Sequence, residues 1–440
     1  MPSIGTSVYY ALVVAWGASF YQFYLKEVFA TTLGIGRVIQ SIDEFPYTCR
    51  RVEDPRLEAC EDLWLDNQGR TLYAACAGTE GRLAWSPAIK KLNATGRRSG
   101  GSELIALDID YPGDDVLFHA RAIKPAGYVG ATGDDTLDLL GFDAQVLDGD
   151  TIQFYFVNQR PPIGAFNNVI DASVLGANST IEIFEMRRGE DQMRHLRTVF
   201  SPAITTPNRV AALGDGAFLV TNDHSVKSGW RMDLDPFIGG GNVAHCDVNG
   251  ECHVAYEGNE EDEELPTASL NEPKYKALLK QALKALPKPK LKFPNGLTRG
   301  FDGLIYLPSS VDGLVRVLAV EADKTLRLID TIPVGMPLDN ISPDAKGDLY
   351  VPGFPSLFQS QKGLSDPYNE ISPVSIWRIR KTVDAGSDGI RSIDYRVEKV
   401  IEDKDSKVLA GATTVRHDAQ TGRLFIGAAV HPYLMVCDPK

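Results

Sequence analysis

The chain has 440 residues, 43% hydrophobic and 23% charged, enough to bury one large core or two ordinary ones. A net charge of −13 and a pI near 5.1 argue against a nucleic-acid surface and suit the collection of divalent cations. No Gly-x-Ser-x-Gly elbow, phosphate loop, dinucleotide fingerprint or His-Glu-x-x-His is present, so those catalytic classes fall away.

Residues 1–40 read as a hydrophobic N-terminal segment. Val8 to Tyr24 is almost uncharged before Lys26, a length that suits a signal-peptide core or a signal anchor, although no basic stretch precedes it. A buried N-terminal helix is the alternative. The export reading places the chain in the secretory pathway, secreted or anchored to a membrane by this segment. Two sequons, Asn93-Ala-Thr95 and Asn178-Ser-Thr180, fit that route as glycosylation sites, and Asn340-Ile-Ser342 is formally a third. Cys49, Cys60, Cys76, Cys246, Cys252 and Cys437 contain no Cys-x-x-Cys pair, so on an export route disulfides are expected rather than a thiolate metal site. Cys60 and Cys76 straddle one turn and Cys246 and Cys252 another, which suggests a cross-strand pair at each.

From residue 45 to 440 a short strand, a Gly/Asp/Asn turn and a second apolar strand recur. Six such hairpins are predicted: Leu65–Ala75, Leu147–Val157, Ala212–Thr221, Thr298–Leu307, Ser342–Val351 and His417–Ile426. Radial repetition is how a long all-β chain avoids exposed sheet edges, so the expected fold is an all-β, six-bladed β-propeller, with a pair of β-sandwiches as the alternative. One insertion, 258–292, breaks the pattern. It holds the acidic run Glu260–Glu264 and then a predicted amphipathic helix at 271–286, with Tyr275, Leu278, Leu279, Ala282, Leu283 and Leu286 on one face. That helix either covers the mouth of the propeller or rests on a membrane.

Strands that begin near a propeller's axis deliver side chains from distant parts of the sequence to one point. Candidates at such places are Glu61 and Asp62, Asn208, the run Asn222-Asp223-His224, Asn295, and the adjacent pair Asp339-Asn340. Glu61, Asn208, Asn295, Asp339 and Asn340 together offer two carboxylates and three amide oxygens. That donor set suits Ca²⁺ and lacks the thiolate or imidazole expected for zinc. For each Asn alone, a turn or capping role competes.

On Cys60-Glu-Asp-Leu63, Ser179-Thr-Ile-Glu-Ile-Phe184, Thr206-Pro-Asn208 with Thr221-Asn-Asp-His224, Phe293-Pro-Asn-Gly296 and Asp339-Asn-Ile-Ser342, the chain from about Cys49 to Cys437 resembles the paraoxonase/arylesterase family of six-bladed, calcium-dependent lactonases. The resemblance implies that Glu61, Asn208, Asn295, Asp339 and Asn340 bind a catalytic calcium in a central tunnel and that Asp62 serves a second, structural calcium. It also implies a ring-closing disulfide between Cys49 and Cys437, worth about 4–5 kcal/mol in the chain-entropy picture.

Two departures stand out. Arg209 occupies the position where the family's second calcium takes an Asp, which leaves that site lost, rebuilt, or replaced by a guanidinium paired with Asp62. The family's two water-activating histidines align with Leu140 and Gln159. The base then falls to Glu61 or Asp339, with Asp143 and His224 as further candidates, while Asn208 or Asn295 could donate an N–H to the oxyanion. The expected substrate is a small hydrophobic lactone or ester. A non-hydrolytic isomerase or cyclase, or a non-enzymatic binding propeller, is the alternative.

Overall fold

A computed structural model describes residues 9, 13–19, 21–26, 28–114, 116–130, 135–164, 166, 168–258, 290–385 and 391–440. All six predicted hairpins form as antiparallel pairs. Their first strands are β1 (Cys60–Asp66), β2 (Leu139–Asp148), β3 (Pro207–Ala212), β4 (Thr298–Arg299), β5 (Ser342–Pro343) and β6 (Ala412–His417). The turn chemistry is local. In the hairpin after β5, Asp344 accepts from the backbone N–H of Lys346 at 2.8 Å and of Asp348 at 3.0 Å, and Gly347 takes a φ of 86° that a Cβ would disfavour.

The strands assemble into a propeller-like all-β arrangement with few helices. Four sheets have four strands each, and β3, β4, β5 and β6 each lie at one edge of theirs. A fifth sheet has eight strands, with β1 at one edge and β2 at the other. Its two antiparallel halves meet in the middle, where Gln192–Val199 runs parallel to Arg121–Ala126 over three residue pairs. The six edge strands form a closed ring: β1 packs on β2, β2 on β3, β3 on β4, β4 on β5, β5 on β6, and β6 on β1. Apolar side chains fill the space between neighbouring sheets. Tyr73, Phe142, Phe154, Phe156 and Phe184 make a similar layer between the two halves of the eight-stranded sheet, with the rings of Phe154 and Phe156 stacked at 5.5 Å.

The ends of the chain meet in one sheet. Tyr47–Val52 pairs antiparallel with Leu434–Pro439, Cys49 faces Cys437, and the two are joined by a disulfide. Cys60–Cys76 and Cys246–Cys252 are also disulfides, each across an antiparallel pair.

Among the described residues the N-terminal segment is helical in part. Residues 13–19 are helical and exposed, and Tyr21–Leu25 and Val28–Thr32 are separate π-helical turns. The Thr32 hydroxyl donates to the Val311 carbonyl at 2.9 Å and Arg37 donates to the Pro355 carbonyl at 2.7 Å, so the end of this segment is tied to the β-structure. Among the described residues, no helix is long and apolar enough to cross a membrane. The acidic run at 260–264 and the amphipathic helix predicted at 271–286 lie outside the described residues.

Candidate functional site

The innermost strands begin where the candidate ligands sit. Glu61 lies near the start of β1 and Asn208 near the start of β3, while Asn295 and the pair Asp339-Asn340 directly precede β4 and β5. All five are buried. Hydrogen bonds tie them together. The Asn340 amide donates from Nδ2 to Glu61 Oε1 at 2.9 Å. Asn295 Nδ2 donates to Ser310 Oγ at 2.8 Å, and that hydroxyl donates to the carbonyl of Leu338, next to Asp339, also at 2.8 Å. Gly296 is required here because a Cβ at that position would stand 2.1 Å from Asn340 Oδ1.

One oxygen of each candidate is left over. Glu61 Oε2, Asn208 Oδ1, Asn295 Oδ1, Asp339 Oδ1 and Asn340 Oδ1 are buried and have no hydrogen-bond partner among the described residues. Orphan acceptors of this kind are costly without a cation or donor. The amide nitrogens explain the orientation: Asn208 donates to Asp223 Oδ2 at 3.5 Å, Asn295 to Ser310 and Asn340 to Glu61, so each carbonyl oxygen is the free end. Each of these contacts uses one of the two N–H donors of its amide.

The electrostatics are those of an acidic site. Burial, then the charge of Asp62, raises the Glu61 carboxyl; burial, then Glu61, raises Asp339 well above the usual carboxylate range. Two oxygen-rich carboxylates and three amide oxygens fit a hard divalent cation such as Ca²⁺. Among the described residues no group of three or more His, Cys, Asp or Glu could hold a metal, so a site here depends on the amide oxygens.

Asp62 is placed differently from its neighbour. Its Oδ2 accepts from Arg209 Nε at 2.7 Å and from the Phe142 N–H at 3.0 Å; its Oδ1 accepts from the Leu63 N–H at 2.9 Å and from the Thr414 hydroxyl at 3.0 Å. With all four contacts made and a guanidinium against it, Asp62 is not disposed as a calcium ligand.

His224 is likewise committed. Nε2 lies 3.2 Å from the Ala88 carbonyl, Nδ1 lies 3.4 Å from Asp235 Oδ2, and the ring packs edge-on to Phe293 at 4.8 Å. Burial opposes its protonation, but the Asp223 and Asp235 carboxylates outweigh it and raise the imidazole pKa. Nε2 is thus taken by a carbonyl, while Nδ1 makes no hydrogen bond among the described residues.

Leu140 belongs to an apolar cluster with Tyr155, Val157 and Val210. Gln159 donates from Nε2 to the Pro207 carbonyl at 3.0 Å and leaves Oε1 unpartnered. Asp143 is half-buried with Oδ2 accepting from the Ala212 N–H at 2.9 Å. Asp223, named with Asn222 and His224 as a candidate run, is fully buried beside Asn208 with Oδ1 unpartnered, and with Gln159, Ser179 and Lys227 it lines a small cleft. Its signal lay in the same Asn-Asp-His run. A wider cleft of about 620 Å³, lined by Arg51, Glu58, Tyr368 and Tyr433 among others, contains none of the five ligands.

No family model matches the chain. Among curated proteins it is similar to serum paraoxonase/arylesterase 1 of Rattus norvegicus, 22% identical over 346 residues, which cover 76% of this chain and 79% of that protein. The Mus musculus protein of the same name is 22% identical over 343 residues, with the same coverage. A solved gluconolactonase from Xanthomonas campestris superposes with a TM-score of 0.43 at 14% identity over 90% of each chain. The chain is thus similar to the two serum paraoxonase/arylesterases over 76% of its length.

Proposed function

We propose that this protein is a calcium-dependent hydrolase of small hydrophobic lactones or aryl esters. The observation that carries the proposal is the set of five buried, unpartnered oxygens on Glu61, Asn208, Asn295, Asp339 and Asn340. The similarity to serum paraoxonase/arylesterase 1 supports the reaction class. In this reading the eight-stranded sheet counts as two blades, which makes the β-structure a six-bladed propeller with the site in its central tunnel.

A calcium ion bound by these oxygens would act as a Lewis acid on the ester carbonyl and its oxyanion. Glu61 is fixed by Asn340, which leaves its Oε2 as the coordinating atom. With Oδ1 of Asp339 given to the ion, the second oxygen of that carboxylate would accept the proton of the attacking water in the absence of a histidine pair. The chain is further read as a secretory-pathway glycoprotein. Asn93 is exposed on its loop and Asn178 is half-buried at a strand start, whereas Asn340 is fully buried and stays unmodified.

A second reading rests on Leu140 and Gln159: without a histidine pair, the same site could serve an isomerase or cyclase. Turnover of a lactone panel in H₂¹⁸O decides between them. The hydrolase reading expects label in the product acid, loss of turnover in EDTA and recovery with Ca²⁺; unlabelled product or EDTA-resistant turnover overturns it.

A further inference from the structure

Beneath the candidate ligands, contacts from all six inner strands converge on one buried ion pair. Arg209 is 1% exposed, and its guanidinium donates to Asp62 Oδ2 at 2.7 Å, to the Leu297 carbonyl at 3.3 Å and to the Ile341 carbonyl at 2.5 Å. Asp62 in turn accepts from the Phe142 N–H and the Thr414 hydroxyl. Asp62, Phe142, Arg209 and Thr414 belong to β1, β2, β3 and β6, and Leu297 and Ile341 are the residues just before β4 and β5. Gly141 opens the path for this side chain, since a Cβ there would meet Arg209 Cγ at 2.8 Å. A second buried guanidinium, Arg416 on β6, lies 3.8 Å from Asp62 Oδ1 and donates to the Leu63 carbonyl at 2.5 Å.

These contacts stand in a fixed relation to the ligands. Asp62 follows Glu61, Arg209 follows Asn208, Ile341 follows Asn340, and Leu297 is two residues past Asn295. Each strand that carries a candidate ligand is thus anchored one or two residues further on. A buried carboxylate needs a compensating cation, and here the chain supplies it covalently. Guanidinium suits the task because it is always charged and reaches several acceptors in one plane.

We propose that Arg209 is a positioning residue: a tethered cation that fastens the inner strands to one another and sets the Glu61, Asn208, Asn295 and Asn340 oxygens in place whether or not a metal is bound. The second half of this statement rests on the calcium reading, the first half does not. Removal of metal therefore leaves the β-structure closed, and loss of the guanidinium weakens both the fold and the grip on the cation.

The test compares full-length wild type, Arg209→Met, Arg209→Lys and Thr414→Val, the last removing a single contact to Asp62. Two quantities are measured: melting temperature in EDTA, and Ca²⁺ affinity of the folded protein by titration well below the melt. Wild type is expected to stay folded in EDTA. Arg209→Met is expected to melt several degrees lower, about 5 °C, and to bind Ca²⁺ about tenfold more weakly, the usual cost of losing an outer support of a metal site. Arg209→Lys should regain part of both, and Thr414→Val should show a smaller fall in melting temperature, which keeps the test open if Arg209→Met does not fold. Unfolding of wild type in EDTA, or an Arg209→Met protein that melts like wild type, overturns the fastening role. A lower melt with unchanged affinity overturns the positioning role. Wild type that binds no Ca²⁺ brings down the calcium reading and with it the positioning role, and leaves the fastening role to be judged on the EDTA melts.

Discussion

Asn340 and Glu61 lie 279 residues apart in sequence and 2.9 Å apart in the fold, joined by a bond from the amide Nδ2 to the carboxylate Oε1. The bond fixes both side chains and leaves one free oxygen on each, Asn340 Oδ1 and Glu61 Oε2. Neither residue could be positioned by its own strand alone. The contact exists because β6 brings the two together: the Asn340 N–H donates to the Thr413 carbonyl at 2.9 Å and the Thr413 hydroxyl donates to the Glu61 carbonyl at 2.8 Å.

Asp339→Asn separates the metal from the fold. In EDTA this change removes one of two buried carboxylates that repel each other, so the variant should melt at or above the wild-type temperature. In Ca²⁺ it loses a charged ligand, and lactone turnover should fall at least about 100-fold, as expected for loss of a group that stabilises developing charge. Differential scanning fluorimetry with and without EDTA, beside rate measurements, reads both effects. A variant less stable than wild type in EDTA would contradict the assignment.

His224→Gln should leave more than about a tenth of the wild-type rate, because the ring is buried with Nε2 on the Ala88 carbonyl and Nδ1 beside the Asp235 carboxylate. The measurement is kcat beside KM on one lactone. A loss as deep as that of Asp339→Asn would make His224 catalytic after all.

Acid stability should depend on His431. Burial, then the charge of Arg51, lowers this imidazole to about 4, and neither ring nitrogen has a hydrogen-bond partner among the described residues. A histidine held neutral in the folded state contributes stability that is complete above its unfolded pKa of about 6.5 and is lost as pH falls toward 4. The full difference corresponds to about 3 kcal/mol. Denaturant titrations from pH 7.5 to 4 should show this fall in wild type and a flatter profile in His431→Phe; parallel profiles would rule it out.

Reduction of the Cys49–Cys437 bond should matter more than reduction of the other two, since it closes a sequence separation of 388 residues against 16 and 6. The double change Cys49→Ser with Cys437→Ser is expected to cost about 3–5 kcal/mol in denaturant unfolding, most of it from a less constrained unfolded chain. An effect below about 1 kcal/mol would show that strand pairing alone closes the ring.

The hairpins were legible because Gly and Asp turns between apolar strands are local signals, and all six formed. The ligand candidates were legible as Glu, Asp and Asn at strand starts. Long-range matters were not. The acceptors of Arg209 at Leu297 and Ile341 are backbone carbonyls, which any residue type presents, so no side-chain pattern marks them. The partner of His224 is Asp235, eleven positions on and inside the helix Trp230–Ile238, where only the folded loop brings it near. The joining of two sheet halves through Gln192–Val199 and Arg121–Ala126 depends on three residue pairs between edge strands, too little to leave a trace in sequence.

Calorimetric titration of metal-stripped protein with Ca²⁺, run on wild type and Asp339→Ala, tests the central claim most directly. One ion per chain in wild type and none in the variant is the expected result. Failure of wild type to bind, or equal binding by both, would contradict a calcium site built from these five oxygens.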